Sequence, residues 1–281
     1  MCSTECRIDD LNIILDIFRL TKKITLNFIF RVKMTKACIK NTLIVIPVYN
    51  SESHLEELLL RLLAAPSSMD ILCINDGSLD NSLHVIKKHG IKCINLEKNR
   101  GKGFALRTGL TYAKNNGYEF VLTMDSDLQH DPSCVPNFLK TQGKESADLV
   151  IGFRDFNPLR ICSYRFVFPS LGRISGNMPI MRILSNYITS CIVSCMTKQN
   201  ILDSQSGYRL YNLELFEEAE IKTDRYQMET EILLNYIRKN AVIAHTEIPI
   251  IYNDEKSYIS HFRDIVNFVK VIISEWLGSR E

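Results

Sequence analysis

Two aspartates one residue apart, Asp125 and Asp127, with Gln129 after them, close a strand-like run whose apolar residues are Phe120, Val121, Leu122 and Met124. Alternate side chains of an extended chain face one way, so these three oxygen-bearing groups are expected to converge on one side and hold a hard divalent cation, Mg2+ or Mn2+. An ion held with open positions suits the oxygens of a diphosphate. The same residues also read as a cap ahead of Pro132. Gly101-Lys102-Gly103 opens a helical pattern, where backbone N–H groups and an ammonium would receive an anion. Its spacing is not that of a P-loop, and no Gly-x-Gly-x-x-Gly follows the first apolar run, which argues against a dinucleotide site. Tyr49-Asn50-Ser51-Glu52 and Asn75-Asp76-Gly77-Ser78 complete the set. Singly each reads as a turn or a helix cap; four such clusters after four successive apolar runs point to a site.

Two further carboxylates, Glu229 and Glu231, fall on one helical pattern but on different faces, so only one can enter a site. We expect Glu229 to be functional and Glu231 to lie on a solvated face. If the acceptor is a hydroxyl, one of them must take its proton; an ionised phosphate acceptor needs cations instead. His130 adjoins the aspartate motif, where it could orient Asp127 or a phosphate, or simply cap the following turn. The histidines at 54, 84, 89, 245 and 261 lack metal-ligand spacing and read as surface or packing residues.

The elements that would position these residues alternate strand and helix. Strands are predicted over 43–48, 71–75, 92–96, 120–124, 149–151 and 242–251, and helices over 52–63, 81–89, 102–115, 132–141, 180–196 and 226–239. This alternation implies right-handed crossovers and a mostly parallel α/β sheet with helices on both faces, whose ligands gather at the carboxyl ends of the strands. A terminal amphipathic helix over 262–277 is expected to pack on its own domain or, through Trp276, to anchor at an interface. Residues 1–40 mix Ile13, Ile14, Ile17 and Phe18 with Arg19, Lys22 and Lys23, and read as an N-terminal extension, either amphipathic at a membrane surface, a covering helix, or poorly ordered.

The 34 basic and 32 acidic residues leave a formal net charge of +2, which offers no global field for nucleic acid. Nine scattered cysteines without a Cys-x-x-Cys pair read as reduced thiols. No apolar run reaches the roughly 18 to 20 residues of a spanning helix. These features suggest a chain that is cytoplasmic and, at most, peripheral on a membrane.

The series Ile46-Pro47-Val48-Tyr49-Asn50, Asn75-Asp76-Gly77-Ser78-x-Asp80, Asn99-x-Gly101-Lys102-Gly103-x-Ala105, Asp125-x-Asp127-Leu128-Gln129-His130-Asp131-Pro132 and Asp203-x-Gln205-Ser206-Gly207-Tyr208-Arg209-Leu210 resembles family 2 glycosyltransferases. Within them it is most similar to the dolichyl- and polyprenyl-phosphate mannosyl- or glucosyltransferases, over residues 42 to 275. The resemblance implies the GT-A fold, a Rossmann-like sheet in a single domain over 41–281, with a nucleotide-sugar half (41–152) and an acceptor half (153–281). It implies that Pro47, Tyr49, Asn50, Glu52, Asp76, Lys102, Gly103 and Asp125 bind the nucleotide, and that Asp125, Asp127 and Gln129 hold the metal. Arg154, Arg182, Gln205 and Arg209 would contact the acceptor or a phosphate, with Arg165 or Arg173 as alternatives to Arg182. Asp127, Glu229 and Arg154 would carry the catalysis. The chain departs from the family pattern at Asn75, where many members have Asp, in the long stretch 156–182, and in having no pair of spanning helices after Leu277.

The implied reaction is transfer of a hexose, with inversion, from a GDP- or UDP-sugar to a polyprenyl or dolichyl phosphate at a membrane surface. Transfer to a glycan hydroxyl is the alternative, and a nucleotidyltransferase is a more distant one. Neither the sugar, the base nor the oligomeric state follows from these residues.

Overall fold

A computed structural model describes residues 41–65, 69–155, 174–175, 180–221, 223 and 227–251. The expected extension over 1–40, the helix over 262–277, and Arg165 and Arg173 lie outside the described residues, as does the side chain of Arg182.

Strand β1 (Thr42–Val48) is buried along its whole length, as a parallel strand covered on both faces must be. Its alternation distributes side chains to two cores: Leu43 and Val45 enter one, Ile44, Ile46 and Val48 the other. Helix α1 (Glu52–Ala64) brings Leu55, Leu58, Leu59 and Leu62 to the second core. Strand β2 (Asp70–Asn75), helix α2 (Ser82–Lys88), strand β3 (Lys92–Asn95) and helix α3 (Lys102–Asn115) follow. Helix α3 covers the first core with Ala105, Leu106, Leu110 and Ala113. Strand β4 (Phe120–Thr123) leads through a short 3-10 turn (Pro132–Cys134) into helix α4 (Val135–Glu145) and strand β5 (Leu149–Phe153). The two-residue β6 (Ile174–Ser175) and helix α5 (Ile180–Thr197) precede strand β7 (Arg209–Asn212) and helix α6 (Gln227–Arg238). Strands β8 (Ile243–Glu247) and β9 (Ile250–Ile251) are the expected 242–251 strand cut in two; Pro249, which has no N–H to give to a ladder, stands in the gap.

The main sheet has the order β3-β2-β1-β4-β7-β5-β8, and β6 pairs with β9 apart from it. Every neighbour is parallel except β7, which runs against both β4 and β5. Strand β7 was not expected from the sequence, and its direction decides how the site is built. A parallel strand delivers to the carboxyl edge the residues that follow it, whereas an antiparallel one delivers those that precede it. Arg209 is in register with both Thr123 and Ile151, so the motif from Asp203 to Tyr208 reaches the same edge as the loops after β1, β2 and β4. The strand order reverses between β1 and β4, which is where α/β sheets open a crevice.

His245, on β8, ties that strand to the loop after helix α5: its Nε2 accepts the Leu202 N–H at 3.3 Å. Burial pushes its pKa down from 6.5 to about 4, against the pull of Asp203. The unfolded chain therefore takes up the proton first, and the stability that neutral His245 contributes is complete above 6.5 and lost as pH falls toward about 4. The loss is up to roughly 3 kcal/mol. His130 has the same sign, so thermal unfolding followed from neutral pH down to about 5 should show a falling midpoint that His245→Gln makes shallower. A slope unchanged in the variant would contradict the assignment.

Candidate active site

The loops after β1 and β2 are laced together. Asn50, at φ 48, donates its N–H to Ser78 Oγ (3.1 Å) and accepts the Leu79 N–H on Oδ1 (2.8 Å). Glu52 accepts from the backbone and side-chain nitrogens of Asn81 (3.2 and 2.8 Å), and Ser51 Oγ lies 2.7 Å from Ser126 Oγ, across the strand-order reversal. Tyr49 stays 44 % exposed at the rim. Gly77 has φ +67, and a Cβ there would meet the backbone of Lys98 at 2.6 Å, so only glycine lets the loop after β2 close on the loop after β3.

Asp76, expected at the nucleotide, is buried and spends both oxygens on the loop that opens α3: Oδ1 accepts the Arg100 N–H and Oδ2 the Gly101 N–H, each at 2.8 Å. It therefore shapes the N-terminus of α3. Gly101 caps that helix at φ 96, and Lys102 and Gly103 are its first two residues.

The centre is a cation between two carboxylates. Lys102 Nζ lies 2.7 Å from Asp125 Oδ1 and 3.1 Å from Glu229 Oε1. Burial opposes the charge on Lys102, and the two carboxylates more than offset it, holding the ammonium well above the usual lysine range. Burial likewise opposes the charge on Asp125, and Lys102 overcomes it, so this carboxyl is held below its ordinary range. Gly207 forms the remaining wall: a Cβ there would sit 2.7 Å from Glu229 Oε1, 2.9 Å from Lys102 Nζ and 3.4 Å from Asp125 Oδ2. Gly207→Ala is expected to cut turnover about a hundredfold by pushing this group apart, while costing only about 1 kcal/mol of stability, since no positive φ is involved. An activity assay and a melting curve check the two halves of this.

The segment from Asp125 to His130 is not extended. Strand β4 ends at Thr123, Ser126 and Asp127 form a turn, and Leu128 has φ 62. Asp127 Oδ1 accepts the Gln129 N–H at 3.0 Å, an Asx turn. Strand alternation therefore does not bring Gln129 to the two carboxylates, and that expectation is corrected. His130 resolves its alternatives: its Nδ1 accepts the Asp125 N–H at 3.0 Å, and its ring stacks on Tyr208 with centroids 4.9 Å apart. Burial pushes its pKa down to about 4, so the ring is neutral and fixes the backbone of Asp125.

Arg154, at the end of β5, forms a two-pronged pair with the fully buried Asp203, Nε to Oδ2 at 2.8 Å and Nη2 to Oδ1 at 3.2 Å. Burial works against the Arg154 charge, which Asp203 and, further off, Asp125 and Asp127 restore. Gln205 gives its N–H to Asp203 Oδ1 at 3.2 Å and is part of the same loop. Arg209 corrects a second expectation. Its guanidinium is 0 % exposed and donates to three carbonyls, Ser206 (2.6 Å), Ser204 (2.7 Å) and Glu229 (2.5 Å), so it braces the loop and α6 and does not face a phosphate. Glu231 is corrected as well: it is 1 % exposed, accepting from Thr223 N (3.0 Å) and Oγ1 (2.6 Å), neither solvated nor in the site. Asp203 and Gly207 are the structural partners that sequence reasoning quoted in a motif without giving them a role; the charge balance a buried arginine requires was the signal for Asp203.

Residues 43–218 match the Glycosyl transferase family 2 domain. The chain belongs to that family. As a family 2 glycosyltransferase it is 25% identical over 231 residues to the UDP-N-acetylglucosamine--dolichyl-phosphate N-acetylglucosaminyltransferase of Methanococcus voltae, covering 75% of this chain and 86% of that protein. It is 36% identical over 146 residues to the undecaprenyl-phosphate 4-deoxy-4-formamido-L-arabinose transferase of Shewanella sediminis, which is 47% of this chain and 43% of that one. Its fold is similar to that of glucosyl-3-phosphoglycerate synthase from Mycobacterium tuberculosis, solved with UDP, at a TM-score of 0.62 and 18% identity over 84% of this chain and 80% of that one. The glycosyltransferase thus has the GT-A-type α/β architecture that the motif series implied.

Proposed function

We propose that this glycosyltransferase moves a hexose, with inversion, from a UDP- or GDP-sugar to a polyprenyl or dolichyl phosphate, with a divalent cation bound at Asp125 and Asp127. The observation that carries the reading is the Lys102 ammonium held between Asp125 and Glu229 at the carboxyl edge, beside the Arg154–Asp203 pair. The two relatives above act, by their names, on dolichyl and undecaprenyl phosphate.

Among the described residues no group of three His, Cys, Asp or Glu gathers that could hold a metal ion alone. Two carboxylates, one of them kept anionic by Lys102, fit an ion of the Mg2+ or Mn2+ class whose other positions go to substrate oxygens and water. A structure of the fold neighbour was solved with Mn2+ and UDP. When bound, such an ion supplies positive charge to the donor diphosphate.

Tyr49, Asn50 and Glu52 line the rim where base and ribose would lie. Lys102, at the N-terminus of α3, faces the oxygen on which charge builds as the diphosphate leaves. Arg154 orients the incoming phosphate, whose oxygen attacks the anomeric carbon from the side opposite the departing diphosphate. That nucleophile is already ionised, so no base is required. Arg182, in the first turn of α5, would be a second phosphate contact. The enzyme would work peripherally at the cytoplasmic face of a membrane: Cys73, Cys93, Cys134, Cys191 and Cys195 are free thiols, and no helix among the described residues is long and apolar enough to cross a bilayer.

A second reading, transfer to a glycan hydroxyl, is favoured only by the position of Glu229 in the site. A thermal-shift panel of UDP- and GDP-sugars, each with and without Mn2+, is expected to give a cation-dependent rise for one base. Transfer from that donor should then require a polyprenyl phosphate. Transfer to a neutral glycan, with none to the lipid phosphate, would replace the first reading by the second.

A further inference from the structure

Helix α5 is amphipathic the wrong way round. Its inward face is polar: Asn186 (4 % exposed), Thr189 (0 %), Ser190 (4 %) and Thr197 (9 %) are buried, with Val193 the apolar member. Its outward face carries Leu184 (47 % exposed), Tyr187 (52 %) and Ile188 (43 %), continued by the exposed Cys191 and Cys195. At about 100° per residue these five outward positions form one stripe roughly 100° wide.

The inward polarity has a structural reason. Ser190 Oγ accepts the Ser204 N–H at 2.9 Å, and Ser194 Oγ accepts the Ile201 N–H at 3.0 Å and donates to the Ile201 carbonyl at 3.2 Å. The helix thus satisfies the backbone of the loop that carries Asp203 and, through it, Arg154. Among the described residues nothing comparable accounts for the outward apolar stripe.

We propose that this stripe docks α5 on an anionic lipid surface, an inference that rests on the lipid-phosphate reading above for the choice of lipid over protein. Charge supports the choice. The sequence from 180 to 202 has no acidic residue, and its only ionisable cations, Arg182 and Lys198, stand at the two ends of the helix. Two copies of α5 laid face to face would bring cation against cation in either orientation, whereas lipid phosphates complement both ends. Docked in this way, the helix would lie in the headgroup layer with its apolar stripe inward, as interfacial helices do. The site loop fastened to its other face would then stand beside the layer from which a lipid phosphate emerges.

The full chain is expected to co-sediment with vesicles of equal parts phosphatidylcholine and phosphatidylglycerol, and more weakly with phosphatidylcholine alone. Leu184→Gln/Ile188→Gln should lower the partition coefficient roughly tenfold or more, with an unchanged melting midpoint, because both side chains are already exposed. The double variant should keep its turnover with a short, water-soluble isoprenoid phosphate, so a loss confined to vesicles separates failed docking from a wrong acceptor class. In a Trp276→Phe background, Tyr187→Trp should be quenched by brominated acyl chains. Undiminished vesicle binding by the double variant, an unquenched Tyr187→Trp, or a parent chain that ignores vesicles and self-associates through this face would each overturn the proposal.

Discussion

Lys102→Met is expected to lower turnover by two to three orders of magnitude, the scale seen when one preorganised donor is removed from developing negative charge. In the proposed role the ammonium is matched to the leaving oxygen more than to the resting donor, so the loss should lie in kcat. It should also destabilise the protein, since Asp125 and Glu229 would then face each other without the cation that separates them. These effects can be told apart with Lys102→Met/Glu229→Gln. Removing one carboxylate relieves the repulsion, so the melting midpoint should recover while turnover stays low. Recovery of both would mean that Lys102 only neutralises its neighbours and takes no part in the transfer.

Arg209→Met should produce the other large effect, this time on stability. The substitution keeps most of the bulk and removes every donor, leaving the carbonyls of Ser204, Ser206 and Glu229 buried without their partner. At about 1 to 3 kcal/mol for each orphaned group, partly relieved by relaxation, the cost is roughly 4 kcal/mol in urea unfolding. An arginine that touched substrate would behave oppositely, raising KM at nearly constant stability. A loss below about 1 kcal/mol would therefore return Arg209 to the acceptor side.

Much of the fold was legible because each early strand is a short apolar run closed by a polar cluster, as at Val48-Tyr49-Asn50 and Ile74-Asn75-Asp76, and because α3 begins and ends where its periodicity does. Strand β7 was not legible. It has four residues, begins with an arginine, and owes its place to neighbours far away in the chain. The site divides along the same line. Local features, such as Gly101 opening a helix or two aspartates closing a strand, can be read from their immediate surroundings. The pairing of Lys102 with Glu229, or of Arg154 with Asp203, exists only once separate loops share an edge. The reading of Asp125, Asp127 and Gln129 as an extended ligand ladder failed for a local reason: a residue in the left-handed region, Leu128, breaks the alternation between the last two.

Because the reversed strand is threaded between the fourth and fifth strands, the parts of this enzyme before and after residue 152 share a ladder of hydrogen bonds and are not neighbouring modules. A fragment cut after residue 152 would present two bare strand edges where one filled slot had been. Swapping the part after residue 152 for that of another transferase would replace a rib of the shared sheet itself. New acceptor preferences in this scaffold are therefore easier to reach by altering loops and helix surfaces than by exchanging halves.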